Sequence, residues 1–272
     1  MPEHERRAIA LQPEVETSRG ALREALLVYA VVSGVTWWLS RLQVVPVPVL
    51  RTHLHLIVGT LFLVTALRCA DRLPGGAARY GLALGGLFGD EPLTPEQSAA
   101  EAPEERGSLR ELGRLLVRGL PKLVRELGVA ASVCAVVFPP FVLGFYLWHA
   151  PTRHFVWLPD NDLFAYALTQ ILVVALPEEA FFRGYLQGRL ADAWPKRRRF
   201  LVALLPVRPW LLQAALFAVL HVVVDYNPAR LAVFFPGLLF GWVRELRGGI
   251  GAAILVHAAC NLLSDVLIRG WL

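Results

Sequence analysis

Two adjacent glutamates follow an apolar stretch of the sequence. Glu178 and Glu179 come directly after the run 163–176 and Pro177, and Arg183 follows them. A charged group near the centre of a bilayer costs at least about 2.5–3.5 kcal/mol, so it is paired, neutral or functional. On a continuous helix Glu179 and Arg183 lie on one face and can form an ion pair. Glu178 then points about 100° away, which leaves one carboxylate free for proton transfer.

Two later apolar runs each carry a histidine. His221 lies four residues after Phe217, and His257 lies four residues before Asn261, so each pair shares a helical face. Counted from the cytoplasmic helix ends, the depths are about 12 Å for Glu178, about 18 Å for His221 and about 16 Å for Asn261. Only a water-filled pocket or tight mutual pairing makes such groups tolerable in a membrane. The sequence therefore predicts one polar cavity that contains all of them.

Three hydrolytic chemistries can be compared with these residue types. A carboxylate beside a histidine can take a proton from water, while a second histidine and an asparagine can donate to the resulting oxyanion. A serine nucleophile has no support, because neither a GxSxG elbow nor a Ser-His-Asp arrangement occurs. Glu178, His221 and His257 could also be zinc ligands. No HExxH motif occurs, and each helix contributes only one histidine. A zinc site is therefore possible but is not indicated by the sequence.

The composition requires these groups to be positioned by membrane-spanning helices. The 272 residues are 56% hydrophobic and only 18% charged, whereas soluble domains are about 45–50% apolar and about 25% charged. The basic residues cluster beside apolar runs, so the net charge of +5 indicates membrane topology and not nucleic-acid binding. The three cysteines are isolated and form no CxxC pair, which argues against a disulfide framework and a thiolate metal site.

The expected fold is an all-α polytopic transmembrane helical bundle of about seven to eight spans with an intramembrane polar cavity. The fifth and sixth of the recognisable spans are short, and one of them could be tilted or re-entrant. We divide the chain into an N-terminal part, residues 1–160, and a catalytic helical core, residues 161–272. Seven spans are recognisable from apolar runs, at residues 25–42, 49–67, 129–148, 163–186, 209–224, 231–243 and 250–268.

The N-terminal part also contains segments outside these spans. Residues 68–107 are rich in Gly, Pro, Ala and Glu and are predicted to form an extramembrane loop. Residues 108–127 have leucines at helical spacing with arginines between them, and Ser108 with Glu111 fits a capping box. This amphipathic helix lies either on an anionic membrane surface or against the rest of the protein. His53 and His55 stand two residues apart and are expected at the membrane interface.

Basic residues are distributed unequally between the predicted loops. Residues 6–23, 68–125, 189–208 and 244–247 carry most of them. By the positive-inside rule these segments are cytoplasmic, so seven spans place the N-terminus inside and the C-terminus outside. The expected location is the inner (cell) membrane of a bacterium. The lipid bilayer around the protein is one of its expected partners.

Three spacings in this order are typical of one family. Glu178-Glu179-x-x-x-Arg183, Phe217-x-x-x-His221 and His257-x-x-x-Asn261 resemble the motifs of the CPBP family, the CAAX protease and bacteriocin-processing (Abi) intramembrane endopeptidases. The family includes the type II CAAX prenyl endopeptidase. The resemblance covers residues 163–268.

The resemblance implies an intramembrane glutamate protease in which Glu178 and His221 activate water and His257 and Asn261 form the oxyanion hole. Glu179, Arg183 and Phe217 are then orienting residues, and no cofactor is required, with zinc as the alternative.

The resemblance leaves the substrate class open. The expected partner is a membrane protein or peptide, either a cytosolic CAAX-like tail or a sorting tail of the kind that the bacterial myxosortase-type branch cleaves. A site nearer the cytoplasmic half favours the first. Two other classes compete with a protease: a non-enzymatic immunity or scaffold protein, and a proton-conducting transporter, against which the lack of an internal repeat argues. The oligomeric state is left open.

Overall fold

The computed structural model describes residues 3–41, 48–82, 109–157 and 163–272, and the side chains of residues 18–41, 53–82, 119–157 and 163–272. In this part of the chain all elements are helical apart from one two-stranded hairpin. The helices and strands are α1 (Glu3–Arg41), α2 (Pro48–Asp71), α3 (Gly76–Arg79), α4 (Leu109–His149), α5 (Leu163–Ala193), β1 (Arg198–Phe200), β2 (Ala203–Leu205), α6 (Val207–Asp225), a 3₁₀ turn (Pro228–Val233), α7 (Phe234–Arg247) and α8 (Gly251–Trp271).

The described residues form an all-α polytopic bundle, as predicted. Within the described ranges, six helices are long and apolar enough to cross a membrane: α1, α2, α4, α5, α6 and α8. The predicted span at 231–243 takes a different form, because it is divided between the 3₁₀ turn and the 14-residue helix α7. At about 1.5 Å per residue, α7 is about 21 Å long and shorter than the hydrocarbon core of a bilayer.

Helix α4 joins two segments that the sequence separated. The predicted amphipathic helix at 108–127 and the predicted span at 129–148 form one helix, Leu109–His149, that continues through Pro121, Pro139 and Pro140. The part that is apolar enough to cross a membrane begins at Gly119. The predicted loop at 68–107 lies outside the described residues from position 83 onward, and its first residues complete α2 and form α3.

Helix α5 is the central element of the bundle and departs from regular α-helical geometry on both sides of the glutamates. The four residues Leu176–Glu179 are α-helical, whereas Gln170–Ala175 and Ala180–Leu186 are π-helical. Pro177 has no N–H and cannot bond to a carbonyl one turn earlier. The N–H of Leu176 donates instead to the Ile171 carbonyl, five residues back. Such π-bulges occur mostly at functional sites, and here they surround the two carboxylates.

Aromatic rings hold α5 against its neighbours. Phe181 stacks on Phe62 of α2 with ring centroids 5.3 Å apart, and Phe182 makes an edge contact with Phe217 of α6 at 4.9 Å. Phe181, Phe182 and Phe217 are at most 1% exposed. The core of the bundle therefore lies around the segment of α5 that follows the glutamates.

Helices α2 and α5 approach closely at Gly59. A Cβ atom at position 59 would lie 2.9 Å from the Val173 carbonyl oxygen and 3.2 Å from Cγ of Pro177. This carbonyl is the one that Pro177 leaves without a helical donor. The missing side chain of Gly59 thus allows α2 to pack directly on the irregular part of α5.

Replacing Gly59 with alanine is expected to destabilise the protein by about 1–3 kcal/mol, because the contact would have to widen. The measurement is the thermal unfolding midpoint in detergent. Gly34→Ala in α1 is the matched control, since a Cβ atom there meets nothing within 4 Å. Equal midpoints for the two variants would contradict the close approach of α2 and α5.

Candidate active site

The predicted polar residues line one cavity of about 1260 Å³. Glu178 of α5, His221 of α6 and His257 and Asn261 of α8 all contribute to its wall. Its other lining side chains are mixed, with aromatic and aliphatic groups beside hydroxyl, amide and charged groups. Four residues from three helices are thus brought to one space, as the similar depths predicted. Their catalytic roles remain predictions.

The depth of Glu178 differs from the estimate made from the sequence. Helix α5 continues to Ala193, so Glu178 is 15 residues from each end of it (163 to 178, and 178 to 193). This distance corresponds to about 22 Å along the helix in either direction. The sequence placed the carboxylate about 12 Å from the basic end, because it ended the span too early. Glu178 lies in the middle of its helix.

Glu179 and Arg183 form a fully buried ion pair below the cavity. Nη1 of Arg183 donates to Oε1 of Glu179 at 2.9 Å, and both side chains are 0% exposed. The pair has the spacing that the sequence predicted, although a π-bulge begins between the two residues. The guanidinium also lies 4.1 Å from the ring centroid of Phe217 and 5.1 Å from that of Phe240. Cation–π contacts of this kind stabilise a guanidinium that is removed from water.

His257 is held by the same carboxylate. Its Nδ1 atom lies 2.8 Å from Oε1 of Glu179. A carboxylate that pairs with an arginine only accepts, so the geometry assigns the proton of this bond to Nδ1. The ring stacks on Phe240 at 4.6 Å with an interplanar angle of 16°. With Nδ1 and one face engaged, Nε2 is the atom that His257 can offer to a substrate.

Glu178 is the carboxylate that is left over. Its Oε2 atom is buried and has no hydrogen-bond partner among the described residues, and Nε2 of His257 lies 3.8 Å away, beyond hydrogen-bond distance. A buried acceptor without a partner costs about 1–3 kcal/mol. A water or substrate group that enters the cavity would satisfy this oxygen.

The predicted role of His221 requires a ring nitrogen that accepts a proton and does not donate one. Its Nδ1 atom lies 2.9 Å from the Phe217 carbonyl oxygen, four residues earlier on α6. The carbonyl can only accept, so Nδ1 carries the proton and Nε2 of the neutral ring has a free lone pair. His221 lines the cavity, and its Nε2 is therefore suited to accept a proton from water.

Phe217 connects these groups. Its ring makes edge contacts with His221 at 4.5 Å and with His257 at 6.1 Å, in addition to its contact with the Arg183 guanidinium. It is 1% exposed. One buried ring thus limits the positions of two imidazoles and a cation, which fits the orienting role that the resemblance implied.

Gln170 is a site residue that the sequence reasoning missed. Nδ2 of Asn261 donates to Oε1 of Gln170 at 3.0 Å, and Gln170 also lines the cavity. The Tyr166 hydroxyl lies within hydrogen-bonding reach of Gln170 as well. The signal was available, because Gln170 is the only amide side chain in the apolar run 163–176. Its bond fixes which end of the Asn261 amide faces the cavity.

Replacing Gln170 with leucine is expected to lower kcat by about tenfold, since a neutral hydrogen bond contributes about 0.5–1.5 kcal/mol. The side chain hydrogen-bonds to Asn261 and Tyr166, neither of which is a predicted proton-transfer group, so the pH profile of kcat should keep its shape. Gln170→Glu keeps an acceptor for Asn261 and is the matched variant. Wild-type kcat in Gln170→Leu would show that Asn261 needs no such partner.

The zinc alternative requires three converging ligands. Among the residues described, no three His, Cys, Asp or Glu side chains are grouped so that they could hold a metal ion. Of the three candidate ligands, His257 already uses Nδ1 for Glu179, and His221 uses Nδ1 for a backbone carbonyl. A metal would therefore have to be bound through the two Nε2 atoms and Glu178.

The fold and the cavity define a class: an integral membrane protein with carboxylate, imidazole and amide side chains in one cavity of its helical bundle. Residues 160–263 match the family model of the Rce1-like type II CAAX prenyl endopeptidases. The resemblance to the CPBP family is thereby confirmed over these residues, which are similar to its Rce1-like members. No curated protein and no protein of solved structure matches the chain.

Proposed function

We propose that this protein is an intramembrane endopeptidase that cleaves peptide bonds in membrane-associated or C-terminal-tail substrates. The Rce1-like match supports a protease of the CAAX type. The observation that carries the mechanism is the buried Oε2 atom of Glu178, which has no hydrogen-bond partner within the described part of the chain and lies in a cavity that His221 also lines. A carboxylate held without a partner inside a membrane is poised to bind and polarise a water molecule.

In the proposed reaction Glu178 and His221 together activate water. The water oxygen attacks the scissile carbonyl carbon while its proton passes to Glu178 or to Nε2 of His221. The carbonyl π-electrons move to oxygen and form a tetrahedral oxyanion. When the oxyanion collapses, the C–N bond breaks and the stored proton is transferred to the leaving amine. A carboxylic acid and an amine result, and the enzyme returns to its starting state.

Asn261 and His257 are the proposed donors to the oxyanion. Asn261 has two N–H groups and uses one for Gln170, so the second remains for substrate. Nε2 of His257 donates only when the ring carries two protons, because Nδ1–H is already directed at Glu179. The proposed role therefore requires an imidazolium, with Glu179 as its counter-ion. Preorganised donors of this kind contribute about 2.7–4 kcal/mol each in other enzymes.

The proposed setting is a bacterial cell membrane with the N-terminus in the cytoplasm. The distribution of basic residues supports this orientation. The proposed partner is a membrane protein or peptide and not a nucleic acid. The mechanism uses no cofactor, and zinc held by Glu178, His221 and His257 is the alternative form of the same protease.

The test is proteolysis by purified protein in liposomes, with a panel of fluorogenic peptides that carry CAAX-like or transmembrane sorting tails. We expect at least one tail to be cleaved, and the cleavage to persist after dialysis against a chelator. If the chelator abolishes activity and zinc restores it, the protease is metal-dependent. A panel without any cleavage, with protein that remains folded, would contradict the proposed function.

A further inference from the structure

Among the described residues, those that line the cavity lie mostly toward one end of the bundle. In most of the helices that line it, the lining residues lie in the half nearer the same end, whereas α8 lines it from His257 to Ile268 and α2 from Leu54 to Phe62. In α1 they belong to the last two turns, from Thr36 to Arg41, and in α6 they begin at Phe217 and continue to Asp225. In α5 they run from Tyr166 to Glu178 and stop there. Glu178 and His257 thus form the floor, and the mouth lies where α1, α6 and α8 end.

Contacts between helix ends define this mouth. Nε1 of Trp37 donates to the Tyr226 hydroxyl at 2.9 Å, and the Arg41 guanidinium lies 4.2 Å over the Tyr226 ring. These contacts join the end of α1 to the turn that follows α6. Arg230 pairs with Asp225 at 2.6 Å beside them. The polar rim is therefore built from the C-terminal ends of α1 and α6 and the 3₁₀ turn.

The opposite end of the bundle is closed beneath Glu178. Glu179, Arg183 and Gln187 follow one another down α5 and are each 0% exposed. Nε2 of Gln187 donates to the Gly241 carbonyl and to Glu245, so α5 and α7 are joined there by buried polar contacts. Further toward this end, Arg247 pairs with Glu126, which also accepts from the Ala252 backbone N–H at 3.0 Å. Along α5, no cavity-lining residue of the described chain lies beyond Glu178 toward this end.

The two ends differ strongly in basic residues. In the described part of the chain, the mouth end has Arg41, Arg51, Arg153, Arg230 and Arg269. The closed end has the larger set: Arg6, Arg7, Arg19, Arg23, Arg68, Arg72, Arg79, Arg110, Arg114, Arg118, Lys122, Arg125, Arg189, Lys196, Arg197, Arg198, Arg199, Arg208, Arg244 and Arg247. An excess of Arg and Lys marks the cytoplasmic side of a membrane protein.

We propose that the cavity opens to the non-cytoplasmic face of the membrane and takes a polypeptide segment presented from that face. The substrate part of this inference rests on the function proposed above; the direction of opening does not. A cytosolic CAAX-like tail would have no route to Glu178, whereas the outer flank of a membrane-anchored tail would. The expectation of a site nearer the cytoplasmic half, drawn from the sequence, is reversed by this proposal.

The first experiment measures the direction of opening without proteolysis. In a variant with Cys69, Cys134 and Cys260 replaced by alanine, single cysteines are introduced as Ser264→Cys, Ala229→Cys or Val202→Cys. Ser264 lines the cavity, Ala229 lies in the 3₁₀ turn at the mouth, and Val202 is exposed at the hairpin of the basic end. Intact spheroplasts of a bacterial host are treated with a small charged thiol reagent that does not cross membranes.

We expect Ser264→Cys and Ala229→Cys to be labelled in intact spheroplasts, and Val202→Cys only after permeabilisation. Labelling in the reverse order would overturn the proposal. The second experiment offers two reporters whose identical cleavable tails flank a transmembrane segment on opposite sides. Cleavage of the outward-facing tail alone supports the substrate part, and cleavage of the cytoplasmic tail alone overturns it. If neither is cleaved, the proposed protease function fails, while the labelling result still decides the direction of opening.

Discussion

Replacing Glu178 with glutamine is expected to lower kcat by about 10²–10⁴-fold, the usual contribution of a general base. The amide has the shape of the carboxylate but cannot accept a proton from water. KM should change much less, because the proposed role of Glu178 lies in the transition state. The measurement is single-turnover cleavage of whichever tail peptide the wild-type protein cleaves, with and without a chelator.

The same variant is expected to fold normally. Oε2 of Glu178 has no hydrogen bond to a described residue that the change would break, and a neutral amide is easier to place in a membrane than a carboxylate. The thermal midpoint should therefore equal or exceed that of the wild type. Asp71→Asn provides the matched carboxylate-to-amide control, since Asp71 is exposed at the end of α2 outside the cavity. Wild-type kcat in Glu178→Gln would remove Glu178 from the mechanism.

Replacing Glu179 with alanine is expected to have the largest effect on stability, about 3–5 kcal/mol. The change leaves the fully buried Arg183 guanidinium without its counter-ion, and the Nε atom of that guanidinium already lacks a hydrogen-bond partner among the residues described. It also removes the acceptor of the His257 Nδ1 bond. The measurement is the free energy of unfolding in mixed detergent micelles, together with the amount of protein that inserts into membranes.

Two control variants separate the effect of burying the ion pair from the effect of leaving one charge uncompensated. Asp225→Ala breaks an ion pair whose side chains are 52% and 35% exposed, and exposed pairs contribute only about 0–1 kcal/mol. The double variant Glu179→Leu with Arg183→Met should recover part of the loss, because it leaves no uncompensated charge. If Glu179→Ala unfolds at the same denaturant concentration as Asp225→Ala, the pair does not stabilise the core as described.

Much of the site could be predicted because it depends on the geometry of single helices, which the spacing of residues in the sequence determines. The i, i+4 spacing of Glu179 and Arg183 was sufficient to predict their pairing, and the leftover position of Glu178 followed from helix geometry. The shared cavity followed from similar depths on three helices. These inferences need only the helical period and the high free energy of isolated charges in a membrane.

Other features depend on contacts between distant residues, which a single sequence does not contain. The bond from His257 to Glu179 joins positions 78 apart, and the bond from Asn261 to Gln170 joins positions 91 apart. Hydropathy also failed to place helix ends: α5 continues to Ala193, and α4 includes a segment that was assigned to a separate surface helix. Apolar composition shows that a residue is helical more reliably than it shows where the helix stops.

The short helix α7 has a consequence for the lipid around the protein. Phe235, at the start of α7, is 72% exposed, and Arg230 and Asp225 lie just before it. Helix α7 is about 21 Å long including a charged last turn, Arg244 to Arg247, so its apolar part is much shorter than a hydrocarbon core of about 30 Å. A bilayer accommodates such an element by thinning locally. Thinning beside the rim would bring headgroups and water toward the cavity from the side. Bilayer thickness then becomes a determinant of turnover, with slower cleavage in lipids of longer acyl chains.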